Sequence, residues 1–557
     1  MKKKFGGGLF SNRTFEGDNV PKLTRILYPW SGIFRDACYT MIGTFLMQFA
    51  ITAGVLSKDP ATFQTQYGII TVAMIIALVW DGLNDPIMGF IIEKVHLKSG
   101  KYRPWIAIGA IGNALCVALM FLVPLAMVGG DGWGYVAFMI VAYLVWDLCF
   151  TMNDIGYWSM LPSLTNDPKQ RARITTNVSV AASIGTAVMT LCMYLLPGLI
   201  PLSTAQIYAL IGSLVALFFL ASQLLVYFLC KEKQRDSVQE QISESSSILD
   251  LFRVVIKNHQ LLFVVLALLF YQLAAFILTG IGQNYFYMVF GYGGNKGGLV
   301  ATAVLAIYIL ATVLSQLFYP MLSKKMKQKT ILTTMGIIIV AGYLIFYFVA
   351  FPLFGEKPLA YNTPDPDNVF WILGGSMWLY YLTSFFFFGA SGIFYLCLLV
   401  LMQNAIDYNE WKYGERKESI CFAWRPLDVK LCSGMNRGLQ YIVYAATGTS
   451  LFINTISNAE AEYNSVAYSG TKAEAEAAQA IRDQTIADAG ANISQQSLII
   501  FGTIIIGAIL VSIITAYLLL RFGFKVYEDE EAKIVKELAE RHKQDELNAK
   551  AETPVEA

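Results

Sequence analysis

Charge is scarce in this chain of 557 residues: 15% of positions are charged, against 56% hydrophobic and 14% aromatic, and 41 basic residues nearly cancel 40 acidic ones. So little charge excludes an ordinary soluble domain of this length. The net charge of +1, with lysines and arginines confined to short segments between apolar runs, excludes a broad basic surface for nucleic acid. Histidine is scarcer still, with three copies at His96, His259 and His542, and none is paired for metal or base chemistry. No catalytic constellation stands out, so an enzyme is not expected. A Gly-x-x-x-x-Gly-Lys-Ser/Thr phosphate loop is absent, which argues against ATP-driven work. The eight cysteines lack metal-ligand spacing, and Cys38, Cys116, Cys149, Cys192 and Cys397 sit inside apolar runs as small buried hydrophobes. The basic start Met1-Lys-Lys-Lys runs into Phe5 and glycines with no apolar core behind it, so no removable signal peptide is expected.

What the chain has instead is long apolar runs. Twelve candidate spans fall at about 32–56, 67–92, 104–127, 134–161, 174–199, 205–230, 261–290, 298–322, 330–353, 371–403, 431–455 and 497–521. Segments after the even-numbered spans are basic: Lys94, Lys98, Lys101 and Arg103; Lys169, Arg171 and Arg173; Lys231, Lys233 and Arg235; Lys324, Lys325, Lys327 and Lys329; Lys412, Arg416 and Lys417. The positive-inside rule then places both termini in the cytoplasm. The polar stretch from Lys231 to Ile248 divides the spans into two sets of six. The expected fold is therefore an all-α membrane protein of twelve transmembrane helices in two six-helix bundles. Its expected divisions are an N-terminal bundle at 1–230, a central cytoplasmic loop at 231–260, a C-terminal bundle at 261–522, and a charged tail at 523–557.

Two additions interrupt this plan. An extracytoplasmic insert at 456–495 carries Thr471-Lys-Ala-Glu474 as a capping box and Gly490 as a stop, and reads as a surface helix. A second helix is expected from Glu528 to Ala549, with Asp529–Lys533 and Glu537–Arg541 spaced for surface ion pairs and the tail solvated.

The informative residues are acids at membrane depth. Asp81 and Asp85 lie one helical turn apart inside the run from Tyr67 to Ile92. In the fourth span Asp147, Thr151, Asp154 and Trp158 advance by four, three and four residues and share one helical stripe. Asp36 follows Arg35 at the edge of the first span; as neighbours they point about 100° apart on a helix and need not pair. Five such acids left in lipid, at roughly 3 kcal/mol each, would cost about 15 kcal/mol, comparable to a whole folding stability. They must face water, cations, substrate or bases, and Lys430 is a candidate partner from the second half. Trp158 offers a plate for the apolar face of a sugar ring while Asp154 accepts from hydroxyls. Arg425 and Asp428 are spaced for a local structural pair.

Trp80-Asp-Gly-Leu-Asn-Asp-Pro-Ile-Met-Gly89 and Gly100-Lys-Tyr-Arg-Pro-Trp105, together with Thr151–Pro162, Asp407-Tyr-Asn-Glu-Trp-Lys412 and Glu418-Ser-Ile420, resemble the signature of the glycoside-pentoside-hexuronide:cation symporters. The resemblance runs from about residue 22 to 455 and implies the major facilitator fold, with a sugar, glycoside or uronide carried together with Na⁺, H⁺ or Li⁺. It implies a cation site at Asp81, Asn84, Asp85 and Thr151, with Asp81 and Asp85 as the Na⁺ ligands, and a substrate site at Arg35, Asp36, Asp154, Trp158, Tyr395 and Lys430. Relative to the melibiose-permease branch, Arg35 replaces Lys, Ser179 replaces Arg, Tyr395 replaces Trp and Pro426 replaces Thr, which weakens the case for melibiose itself. Asp147 stands where that branch has Gly, and is read as altering cation preference or holding a second proton.

The resulting expectation is a secondary active importer in the bacterial inner membrane, monomeric, with no cofactor beyond its coupling ion and no nucleic-acid partner. A same-fold carrier of another amphiphile such as a lysolipid, an uncoupled facilitator and a non-transporting sensor are the alternatives. The basic loop Lys94–Lys101 is expected to set topology or to hold conformational states, and Asp407, Glu410, Lys412, Arg416 and Glu418 to form a charge network stabilising one of them.

Overall fold

The computed structural model describes residues 14–15, 19–95, 97, 99–165, 168–197, 199–233, 253, 255–365, 367–414 and 424–552. Lys98, most of the central loop, Arg416, Lys417, Glu418-Ser-Ile420 and the Arg425 side chain lie outside the described residues.

The structure is helical. A first group comprises α1 (Lys22–Trp30), α2 (Gly32–Gly43), α3 (Phe45–Thr52), α4 (Pro60–Lys94), α5 (Arg103–Leu122), α6 (Trp133–Ser163), α7 (Pro168–Leu195) and α8 (Thr204–Leu229). A second comprises α9 (His259–Phe290), α10 (Gly297–Lys325), α11 (Gln328–Ala350), α12 (Met377–Tyr413), α13 (Trp424–Ala446), α14 (Thr449–Ser469), α15 (Lys472–Ala491) and α16 (Gln495–Leu518), followed by α17 (Glu528–Glu552). Ten of the described helices are long and apolar enough to cross a membrane. The first apolar run is divided at Thr44 between α2 and α3, and the eleventh is shared between α13 and α14, which are rich in polar residues.

Within the first group α5 packs on α6 and α8, and α2 packs on α7; within the second α12 packs on α10 and α11, and α9 on α13 and α16. Small residues permit these approaches, as expected where lipid supplies no hydrophobic drive between helices. A Cβ on Gly185 would stand 2.0 Å from the Ile33 carbonyl oxygen, and one on Gly109 2.5 Å from the Asn153 nitrogen. The two groups meet along α4 against α13 and α7 against α10.

At the start of α5, the basic loop motif has a structural task. Glu232 accepts from the backbone N–H groups of Lys101 (2.8 Å), Tyr102 (3.0 Å) and Arg103 (2.7 Å), capping α5. Gly100 adopts φ +137° beside that carboxylate, a conformation only glycine takes readily. Arg103, fully buried, donates through Nε to the Tyr227 carbonyl oxygen at 2.9 Å.

The two additions differ from expectation in detail. The Thr471–Glu474 capping box forms, but α15 runs through Gly490 and ends at Asn492. In the tail, the expected pairs Asp529–Lys533 and Glu537–Arg541 do not account for the helix's contacts. Asp529 binds Lys327 at 2.7 Å, Glu537 accepts from the Trp411 indole at 2.5 Å, and Arg541 donates to the Trp411 carbonyl. Ile534 and Leu538, one turn apart, are buried, so the tail helix lies on the second bundle by an apolar stripe.

Candidate functional site

Helices α4 and α6 of the first group and α13 of the second converge on a cavity of about 40 Å³ lined by Asp81, Asp85, Asp147, Thr151, Asp154, Lys430 and Arg437. The one-turn spacing of Asp81 and Asp85 on α4 turns both carboxylates toward α13. Lys430 answers them with its ammonium 2.8 Å from Asp81 and in direct contact with Asp85. Thr151 and Asp147, on α6, line the same cavity wall as Asp81. Asp147 is 5% exposed and its Oδ2 has no hydrogen-bond partner. Asn84 is buried on the same helix with its Nδ2 unpartnered, and is not part of the cavity wall.

A second cluster adjoins the first through Asp154. Arg35 binds Asp36 at 2.9 Å and Asp154 at 3.3 Å, and its guanidinium lies 4.3 Å from the Tyr157 ring centroid and 4.9 Å from that of Trp158. The neighbours Arg35 and Asp36 do pair, although their angular separation on the helix does not require it. The long arginine arm folds back along the helix, where the planar fork can serve both acids at once. Tyr157 is itself fixed by stacking on Tyr28 at 4.5 Å and by donating to the Tyr28 carbonyl at 2.8 Å. Trp158 is 39% exposed, so one face remains open.

Of the residues expected at the site, Asp81, Asp85, Asp147, Thr151, Asp154 and Lys430 meet in the cavity, and Arg35, Asp36 and Trp158 join it through Asp154. Tyr395 is not in its wall; it stacks on Tyr271 at 5.6 Å within the second bundle. Asp428 is buried, with Oδ2 unpartnered.

Sequence reasoning missed Arg437, which donates from Nη2 to the Gly43 carbonyl at 3.0 Å and so ties α13 to the end of α2. It also missed Tyr143 and Trp146, which line the cavity beside Asp147. Arg437 lies seven residues after Lys430, two helical turns on the same face, which is the signal that would have found it.

The arrangement is chemically specific. Two carboxylates around an ammonium in a bundle interior form a site whose charge suits a cation, and carboxylate and hydroxyl oxygens are the donors that a hard monovalent ion prefers. The cavity has room for an ion or a water molecule, but falls far below the roughly 300 Å³ or more of a typical organic-ligand site.

Two groups of helices, ten of them of membrane-crossing length, with buried charges between the groups, are the architecture of the major facilitator fold. The chain belongs to the MFS/sugar transport protein family, whose model matches residues 61–468. It is 24% identical over 425 residues to the raffinose carrier protein of Pediococcus pentosaceus, covering 74% of this chain and 61% of that protein, so the chain spans under two thirds of that relative's length. It is 25% identical over 432 residues to the isoprimeverose transporter of Lactiplantibacillus pentosus, covering 77% and 81% of the two chains. The fold is similar to that of a bacterial homologue of the human lysosomal transporter Spinster, with TM-score 0.55 at 12% identity over 90% of this chain and 97% of that one.

Proposed function

We propose that the protein is a secondary active transporter that imports a sugar, glycoside or uronide together with Na⁺ or H⁺ by alternating access. The observation that carries this reading is the Lys430 ammonium seated between Asp81 and Asp85 across the two groups of helices. The coupling cation takes the oxygens of Asp81, Asp85 and Thr151, with Asn84 on the same helix supporting the site, and Lys430 is its internal competitor. When the ion enters, Lys430 is released toward the substrate, and separation of α4 from α13 enlarges the cavity. The sugar is held by Asp36, Asp154 and Arg35 through its hydroxyls and by Trp158 against its ring, with Lys430 and Tyr395 completing the site in the enlarged state. By linkage, cation and sugar raise one another's affinity by the same factor.

In this reading twelve spans cross the bacterial inner membrane as two six-helix bundles, 1–230 and 261–522. The termini are cytoplasmic, the insert at 456–495 is extracytoplasmic, and the monomer is the working unit. The raffinose and isoprimeverose carriers among the relatives support a glycoside as cargo. The test is counterflow of labelled raffinose, isoprimeverose, lactose and glucuronides in proteoliposomes, with and without Na⁺ at two pH values. Exchange of one of them, stimulated by Na⁺ or by acid, supports the reading. Binding without exchange marks a sensor, exchange indifferent to both ions marks a facilitator, and either contradicts it.

A further inference from the structure

The pair of helices α14 and α15 reads in sequence as an extension of one bundle into a solvated surface helix, yet its central side chains are among the most buried charges in the protein. Glu460 on α14 is 1% exposed and Arg482 on α15 is 4% exposed. They pair at 3.4 Å, and Arg482 is further held by Asp483 at 2.7 Å and by the Tyr463 ring, 4.6 Å from its guanidinium. A pair serving only to fold the insert would have its partners within the insert. Glu460 has one elsewhere: its Oε2 accepts from the backbone N–H of Thr204 at 2.7 Å, and Thr204 is the first residue of α8, in the other group of helices.

The surrounding contacts cross the same boundary. The Ser203 hydroxyl donates to Asn464 at 2.6 Å, and the Thr204 hydroxyl meets that of Tyr292 at 2.6 Å. A carboxylate at a helix N-terminus is favourable both as a charge-assisted acceptor and against the helix dipole. Rocking the two groups apart at this end would strand a buried carboxylate and leave the leading N–H of α8 without its acceptor.

We propose that Glu460, positioned by Arg482, is a latch that holds the insert-bearing ends of the two bundles together. The α14–α15 pair thereby sets how often the central cavity opens toward that side. The latch does not depend on which cargo is carried, since it acts on the closed state of the empty protein. Arg482 and Glu460 are positioning residues; neither touches the cavity.

The substitution Thr204→Pro, set against Thr204→Val, tests the latch. Proline is tolerated at the first position of a helix, and Ser203, at φ −68° and ψ 157°, already has the extended backbone that a following proline requires. The change removes the N–H that donates to Glu460 together with the hydroxyl that meets Tyr292, and leaves the ion pair of the insert in place; Thr204→Val removes the hydroxyl alone. The measurement is hydrogen–deuterium exchange by mass spectrometry on the full chain in nanodiscs without substrate, comparing wild type, Thr204→Pro, Arg482→Met and, as controls, Thr204→Val and Asp483→Asn. Loss of one charge-assisted contact should raise exchange about tenfold at residues 54–58, whose backbone carbonyls accept from Asn454 and Asn458 of α14, and at 284–292, whose Tyr292 meets Thr204, in both Thr204→Pro and Arg482→Met. Protection of 259–270 should be unchanged, which shows that the bundles are folded, and Asp483→Asn should exchange as wild type. Wild-type exchange at 54–58 and 284–292 in Thr204→Pro overturns the latch, as does an equal rise in Thr204→Val or a rise in Arg482→Met confined to α15. Because no sugar is present, failure of the transport reading would leave this result standing.

Discussion

The Lys430 ammonium on α13 lies 2.8 Å from the Asp81 carboxylate on α4, an ion pair that joins the two halves of the protein at the cavity they share. Lys430 also contacts Asp85, so one ammonium bridges both acids of the pair. The pair is partly buried, with Lys430 22% and Asp81 15% exposed, and removing one partner of such a bridge leaves the other charge poorly solvated.

Arg35→Lys keeps the positive charge and loses the fork that reaches Asp36 and Asp154 together, as well as the stacking between Tyr157 and Trp158. The expected outcome is a folded transporter whose KM for sugar rises roughly tenfold, the equivalent of about 1.4 kcal/mol of lost binding. Uptake against sugar concentration measures it; an unchanged KM would remove Arg35 from the substrate site.

Asp147→Asn deletes the acid that has no partner at Oδ2 while keeping its shape. Cation dependence of uptake should change, either in the ratio of Na⁺ to H⁺ stimulation or in the pH at which uptake is half-maximal. If both stay as in wild type, Asp147 has no part in ion choice.

Gly185→Ala places a methyl group 2.0 Å from the Ile33 carbonyl oxygen, where α7 crosses α2. Because that neighbour is backbone, relief requires the helices to separate, at a cost of about 3 kcal/mol or more. A clear fall in thermal midpoint by fluorescence-detected size exclusion is expected. Gly507→Ala, with nothing within 4 Å of its added carbon, should melt as wild type.

The tail helix should stay docked to mildly acidic pH. The Lys327 ammonium holds the Asp529 carboxyl below the usual carboxylate range, so this contact is present above the ordinary aspartate pKa and is lost only as pH falls through the lowered value. Limited proteolysis should find the tail protected at pH 5, and Leu538→Asp, which charges its buried stripe, should expose it at every pH.

Much of this was legible in sequence because helical period fixes direction. Asp147, Thr151 and Asp154 had to share a stripe, and the expense of acids in lipid said that the stripe faced inward. Arg437 was missed although it falls inside the candidate span at 431–455: among the polar residues of α13, a second cation two turns from Lys430 does not stand out as the acids of α4 do. The docking of α17 was hidden behind its charges, although Ile534 and Leu538 one turn apart carried the signal. The partnership of Glu460 with Thr204 and Arg482 could not be read at all. It joins three separate helices, and nothing in local spacing encodes which distant backbone N–H a carboxylate will meet.

The most direct test of the shared cation and sugar chamber is made in proteoliposomes with Asp81→Asn, recording ion flux driven by a sugar gradient alongside sugar counterflow. Wild type should move Na⁺ or H⁺ in step with sugar. Asp81→Asn should lose the ion flux by at least tenfold while still exchanging sugar for sugar. Undiminished ion coupling in that variant, or sugar entry in wild type with no accompanying ion, would contradict the account.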